Sequence, residues 1–119
     1  MKNTLFKGCA TALCTPFDEN GINFKEFEKL LQNQIESGVN GLVVCGTTGE
    51  SSCMTLEEKK QAIKFVVDFV KKRVPVIAGT GSNNTSSCIE LSKYAEEVGV
   101  DGLLIVTPYY NKATQVRIN

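Results

Sequence analysis

Gly38-Val39-Asn40-Gly41-Leu42-Val43-Val44 returns later in the chain as Gly99-Val100-Asp101-Gly102-Leu103-Leu104-Ile105, an offset of 61 residues from position 38 to position 99. In each copy a glycine ends an amphipathic stretch, and an unbroken apolar segment follows at once. Glycine after helical spacing is a helix stop, and a continuous run of aliphatic residues is how a strand of a parallel sheet reads. Two βα units of about 30 residues each produce such an offset.

Upstream of the first copy, residues 9–15 form a strand candidate ended by Pro16-Phe17 and the turn residues Asp18-Glu19-Asn20-Gly21. Asn23 is placed to cap a helix, with Glu26 completing a capping-box pattern and Phe24, Phe27, Leu30, Leu31 and Ile35 on one face. Residues 42–45 are the second strand. Thr55 and Glu58 open a second helix as T-x-x-E, with Ala62, Ile63, Val66, Val67 and Val70 as its apolar face. The basic run Lys71-Lys72-Arg73 suits the negative end of that helix's dipole. A third strand covers 74–78, with Pro75 near its start. Asn83 or Asn84 caps a third helix carrying Ile89, Leu91, Tyr94, Ala95 and Val98, and residues 103–106 are the fourth strand.

The order βαβαβαβ predicts an α/β fold with a parallel sheet covered on its faces. Repetition of equivalent units fits a (β/α) barrel, and a complete flavodoxin-like doubly wound domain, acting as a small-ligand-binding or signalling module, is the alternative. Strand order separates them: 1-2-3-4 for a barrel, 2-1-3-4 for the doubly wound sheet.

At 119 residues, 42% hydrophobic and 22% charged, the chain has the composition of one globular domain. Thirteen Lys and Arg balance thirteen Asp and Glu, and no basic cluster exceeds residues 71–73, which argues against nucleic-acid or membrane-surface binding. The chain has no His, so a Ser-His-Asp triad, a Cys-His pair and an HExxH zinc site are all excluded within it. Apolar runs reach four or five residues and no signal-peptide core follows Met1, so a cytoplasmic location is expected. Five cysteines (Cys9, Cys14, Cys45, Cys53, Cys88) show no CxxC spacing, and no metal site is expected. Cys14 and Cys45 read as small buried hydrophobes; a nucleophilic Cys45 would lack an imidazole to activate it.

In parallel α/β folds ligands bind at the carboxyl ends of the strands. Those ends carry Thr15; Gly46-Thr47-Thr48-Gly49-Glu50-Ser51; Gly79-Thr80-Gly81-Ser82-Asn83; and Thr107-Pro108-Tyr109-Tyr110-Asn111, a hydroxyl at every one. Thr47 and Thr48 can offer two hydroxyls and backbone N–H groups to a small anion such as a carboxylate, or can simply form a helix-leading turn. Tyr109 and Tyr110 offer a phenol as proton carrier or an aromatic packing pair. Glu50 reads as a general base or as a capping carboxylate. Residues 41–47 have the glycine spacing of a phosphate loop without its lysine, and Gly79-Thr80-Gly81 starts a dinucleotide fingerprint whose third glycine position is Asn84.

Thr15-Pro16-Phe17, Cys45-Gly46-Thr47-Thr48-Gly49-Glu50-Ser51, Ala78-Gly79-Thr80-Gly81 and Val106-Thr107-Pro108-Tyr109-Tyr110-Asn111-Lys112 occur in that order. This set resembles the dihydrodipicolinate synthase family of pyruvate-dependent aldolases, from about Phe6 to Gln115. N-acetylneuraminate lyases share the fold and a similar motif; the double threonine favours the synthases. The resemblance implies a TIM (β/α)8 barrel and a lyase of lysine (diaminopimelate) biosynthesis. Such an enzyme condenses pyruvate with aspartate semialdehyde through a lysine Schiff base, without a cofactor, as a cytoplasmic homotetramer built from tight dimers. It implies Thr47 as a proton-relay hydroxyl and Thr48 as the group holding the pyruvate carboxylate. Tyr110 is implied as a relay tyrosine given to a neighbouring subunit.

The same resemblance puts the imine-forming lysine on a later strand, so no Schiff-base lysine is expected here. None of the 11 lysines lies inside an apolar strand, and Lys112, nearest a strand end, matches a loop position. The family's lysine feedback site maps near Ser52, Leu56, Asn83, Ser87 and Tyr109. Leu56 and Ser87 stand where the lysine-sensitive pattern has His and Glu, which counts against feedback. A TIM barrel needs about 250 residues. Residues 1–115 are therefore expected to form an amino-terminal half-barrel with a divergent tail at 116–119. Alone, the chain is expected to be inactive and to self-associate through its open edge and uncovered barrel face.

Overall fold

Four short parallel strands alternate with helices in residues 3–118, which the computed structural model describes. In chain order the elements are β1 (Ala10–Ala12), a small hairpin of β2 (Phe17–Asp18) and β3 (Gly21–Ile22), α1 (Phe24–Glu36), β4 (Gly41–Val44), a 3-10 turn (Ser51–Cys53), α2 (Leu56–Val70), β5 (Val76–Gly79), α3 (Thr85–Val98), β6 (Gly102–Leu104) and α4 (Gln115–Ile118). Among these residues no helix is long and apolar enough to cross a membrane.

Local chemistry sets the helix ends. Thr55 and Glu58 make the full reciprocal box: Glu58 N–H donates to Thr55 Oγ1 at 3.1 Å and Thr55 N–H to Glu58 Oε1 at 3.0 Å. At α1 only half of the expected box forms. Asn23 Oδ1 accepts from Glu26 N–H at 3.1 Å, while the Glu26 carboxylate turns to Lys29 at 2.7 Å. Asn84, not Asn83, caps α3 by accepting from Ser87 N–H. Gly99 stops α3 with φ 96°, a left-handed conformation that spares glycine the Cβ clash and lets Gly99 N–H and Val100 N–H reach Ala95 O. Of the basic run after α2, Arg73 meets the helix carbonyls, with Nε on Val70 O and Nη2 on Phe69 O. Lys72 instead reaches Gly99 O and Asp101.

The ladders are shorter than the apolar runs. β4 ends where Cys45 turns to φ 57°, and β5 starts after Pro75, whose carbonyl still accepts from Leu42 N–H. The residues read as a bare turn, 18–21, contain a paired hairpin, with Phe17 opposite Ile22 and Asp18 opposite Gly21.

Sheet order is β1-β4-β5-β6, every neighbouring pair parallel. This is the sequential order of a barrel; the doubly wound alternative, which inserts the first strand between later ones, is excluded. α1 packs on α2 and α2 on α3, so the helices line one side of the sheet. Phe27 and Leu31 of α1, Ile63, Val66 and Val70 of α2, and Leu91 and Ala95 of α3 close over Leu13, Leu42, Val44, Val76 and Ala78.

The general pattern of a parallel sheet predicts helices over both faces, but here they do not cover both; one face is left open, as a half-barrel requires. Side chains alternate along a strand, so Val43 and Ile77 point away from the helices and are half-buried, while Ala12 and Cys14 on that face are exposed. The reason is architectural: the inner face of a barrel is filled by other strands of the barrel, not by helices. Cys14 is thus not the buried hydrophobe its neighbours suggested. Ile89, assigned to the buried face of α3, is also exposed. At the sheet edge Leu103 and Leu104 of β6, and Ile105 and Val106 after it, are all about half exposed.

Candidate functional site

The carboxyl ends of β4, β5 and β6 enclose a cavity of about 60 Å3, lined by Cys45, Gly46, Thr47, Ser51, Gly79, Gly81, Leu104 and Val106. Larger surface grooves of about 670 and 760 Å3 run outside α1 and α2, beside Phe69. Their rims mix Lys, Glu, Asp and Gln without converging polar groups, so the smaller cavity at the strand ends is the candidate site.

Gly79 and Gly81 serve packing here. A Cβ at Gly79 would overlap the Cys45 carbonyl, and one at Gly81 would overlap Val106. The glycines let neighbouring strands approach at the cavity floor, a role their fingerprint-like spacing did not reveal.

The 45–51 segment is bent by two non-glycine residues in the left-handed region, Cys45 and Glu50, both at φ 57°. Gly49 N–H donates to Gly46 O and Glu50 N–H to Thr47 O, two successive turns that leave Thr47 and Thr48 exposed at the apex and Gly49 buried beneath. Neither Thr47 N–H nor Thr48 N–H donates to a backbone carbonyl among the described residues. Two hydroxyls and two backbone donors at one apex can receive a small carboxylate.

The hydroxyls at the other strand ends divide by use. Thr15 is buried, and its Oγ1 donates to Gly49 O at 2.8 Å. Thr80 is buried and accepts from Ser92 Oγ at 2.8 Å, joining the cavity floor to α3. A hydroxyl at every strand end is therefore not a ligand group at every one: Thr15 and Thr80 are engaged inside the protein. Their partners, Gly49 and Ser92, lie 34 and 12 residues away, beyond any local motif.

Glu50 precedes the 3-10 turn at its N-cap position but makes no side-chain cap bond, so its capping role is not realised. Cys45 is buried with Sγ against Lys59 O at 3.8 Å, and burial pushes its thiol up to about 12 against a smaller opposite pull from Lys59. A thiol held neutral in this way is no nucleophile, which removes that reading. Tyr109 is exposed, and Tyr110 is 92% exposed at φ 77°, so the two rings do not form a buried packing pair. Tyr110 does not line the cavity that Thr47 lines; the fold brings Thr47 and Thr48 together and leaves Tyr110 pointing to solvent.

Residues 5–119 match the dihydrodipicolinate synthetase family. The 4-hydroxy-tetrahydrodipicolinate synthase of Clostridium perfringens (strain SM101 / Type A) is 63% identical over 111 residues, covering 93% of this chain and 38% of that protein. Among solved structures, dihydrodipicolinate synthase from Aquifex aeolicus superposes with a TM-score of 0.92 at 43% identity, covering 95% of this chain and 39% of that one. The chloride-inhibited dihydrodipicolinate synthase from Acinetobacter baumannii, complexed with pyruvate, superposes at 0.91 with 46% identity, covering 97% and 40%. The chain therefore spans about 38% of the length of the curated relatives it matches. With these likenesses the parallel sheet and its helices are recognised as the amino-terminal half of an α/β barrel.

Proposed function

The chain belongs to the dihydrodipicolinate synthetase family, and on that premise we propose that it forms the pyruvate-binding amino-terminal half of a 4-hydroxy-tetrahydrodipicolinate synthase. That enzyme is a cytoplasmic lyase of lysine (diaminopimelate) biosynthesis. The observation that carries the proposal is the exposed Thr47–Thr48 apex at the strand-end cavity, where neither N–H donates to a backbone carbonyl among the described residues. Support comes from the Acinetobacter relative, whose structure holds pyruvate.

In this reading Thr48 holds the pyruvate carboxylate by hydroxyl and N–H, which orients the keto carbon. A lysine amine outside these 119 residues adds to that carbon, and water leaves as the imine forms. The protonated imine nitrogen accepts the electron pair when the pyruvate methyl loses a proton, and the resulting enamine carbon attacks the aldehyde of aspartate semialdehyde. Thr47 carries a proton in the relay. Tyr110, strained and solvent-facing in one copy, completes the relay of a neighbouring subunit in a tetramer of tight dimers. Residues 1–115 act as the half-barrel and 116–119 as a divergent tail. Met1, Lys2 and Asn119 lie outside the described residues, and α4 spans the boundary between the two segments.

The test is hydrogen–deuterium exchange of the 119-residue chain with and without pyruvate, with borohydride added to a parallel sample. Pyruvate should slow exchange in the 46–51 segment, and Thr48→Ala should abolish that protection. Borohydride should leave the chain's mass unchanged. Unprotected wild-type segments would overturn the carboxylate site, and a covalent pyruvate adduct would overturn the absence of the reactive lysine.

A further inference from the structure

We propose that Thr15 is a positioning residue for the 46–51 turn: its hydroxyl holds the turn in the shape in which Thr47 and Thr48 meet a carboxylate. This rests on the carboxylate-binding reading of that turn. Thr15 lies on the continuation of β1, beside β4, and is only 6% exposed. Its Oγ1 donates to the carbonyl of Gly49 at 2.8 Å, immediately under the Thr47–Thr48 apex.

Three features make that bond matter. The turn is bent at both ends by left-handed Cys45 and Glu50, conformations that cost energy in non-glycine residues and persist only where the surroundings impose them. Its backbone bonds, Gly49 N–H to Gly46 O, Glu50 N–H to Thr47 O, and Cys53 N–H and Met54 N–H to Glu50 O and Ser51 O, are all local and none reaches the neighbouring strand β1. And Gly49 is closely fitted: a Cβ there would stand 3.1 Å from both Thr15 Oγ1 and Leu13 O. Glycine lets the turn descend onto the neighbouring strand, and Thr15 fastens it there. The hydroxyl is buried, so water cannot take over its role when it is removed.

The experiment compares exchange of the 46–51 segment in wild type, Thr15→Val, Thr15→Ser and Gly49→Ala, each with and without pyruvate. Without pyruvate, Thr15→Val should raise exchange of this segment on the order of tenfold, equivalent to about 1.4 kcal/mol. Peptides from α2 should be unchanged. Thr15→Ser, which keeps the hydroxyl, should behave as wild type. Gly49→Ala displaces the same bond from the other side, so the double variant with Thr15→Val should be no worse than the poorer single. Pyruvate protection should disappear in Thr15→Val and survive in Thr15→Ser, a distinction a purely structural role would not produce. Unaltered exchange at 46–51 in Thr15→Val, or an equal rise throughout the chain, overturns the proposal. Should wild type itself show no protection by pyruvate, the carboxylate reading falls, while the pyruvate-free rates still judge the tether separately.

Discussion

Asn40 and Asp101, the polar residues of the two repeated segments, perform one task. Asn40 donates its N–H to Cys9 O and accepts from Cys9 N–H through Oδ1, at 2.8 and 2.9 Å. Asp101 does the same to Val76, its N–H on Val76 O and its Oδ2 under Val76 N–H, at 2.8 and 2.9 Å. Each clips the start of the neighbouring strand, and the 61-residue echo marks a shared mechanical part. Cys45 is the residue whose environment changes its chemistry most. Folding raises its thiol from 9.0 to about 12, so the folded state favours the neutral form. That contribution to stability is intact below pH 9 and is lost as pH rises toward 12. Urea denaturation across this alkaline range should therefore show a steeper loss in wild type than in Cys45→Ala. Equal slopes would show that the thiol is not desolvated as described. In the same experiment the exposed Cys9, Cys14 and Cys53 should react with a thiol reagent well before Cys45.

At the scale of elements, the helices follow rules written in their first and last turns. Thr55→Ala deletes the hydroxyl that accepts from Glu58 N–H and should cost about 1 kcal/mol, lowering the thermal midpoint by a few degrees. A change within error would mean that α2 is held by packing alone. The half-formed box at Asn23 shows the limit of the pattern: Glu26 has a competing cation, Lys29, three residues on, and takes it. Strand lengths were less legible, because a parallel ladder stops wherever one residue leaves the extended region. The turn at Cys45 is such a point, and it is imposed by packing across the strand ends, where Gly79 lies beneath its carbonyl. The small β2–β3 hairpin escaped reading because four residues hold too little periodicity to signal pairing.

For the whole molecule, the decisive fact is an apolar sheet with helices on one side. β6 and the two residues after it leave Leu103 to Val106 exposed at an open edge, and the face bearing Ala12 and Cys14 has no cover among the described residues. Unpaired edges and broad apolar faces drive association. Sedimentation of the 119-residue chain alone should show oligomers growing with concentration. A sharp monomer boundary at every concentration would contradict this. Tyr110 belongs to the same scale, since one chain leaves its ring 92% exposed.

Local pattern was enough for the helices, the capping box at Thr55 and the βα alternation, because each depends on residues within a turn or two of one another. The family followed from four strand-end motifs in order. Strand order, which excluded the doubly wound alternative, came from tertiary structure, since sequence order says nothing about which edges meet. The division of the threonines did too: Thr15 and Thr80 look like ligand hydroxyls until Gly49 and Ser92 are brought against them. Hydrogen bonds spanning 34 and 12 residues have no local signature, so only the folded chain separates the hydroxyls engaged inside the protein from those left exposed.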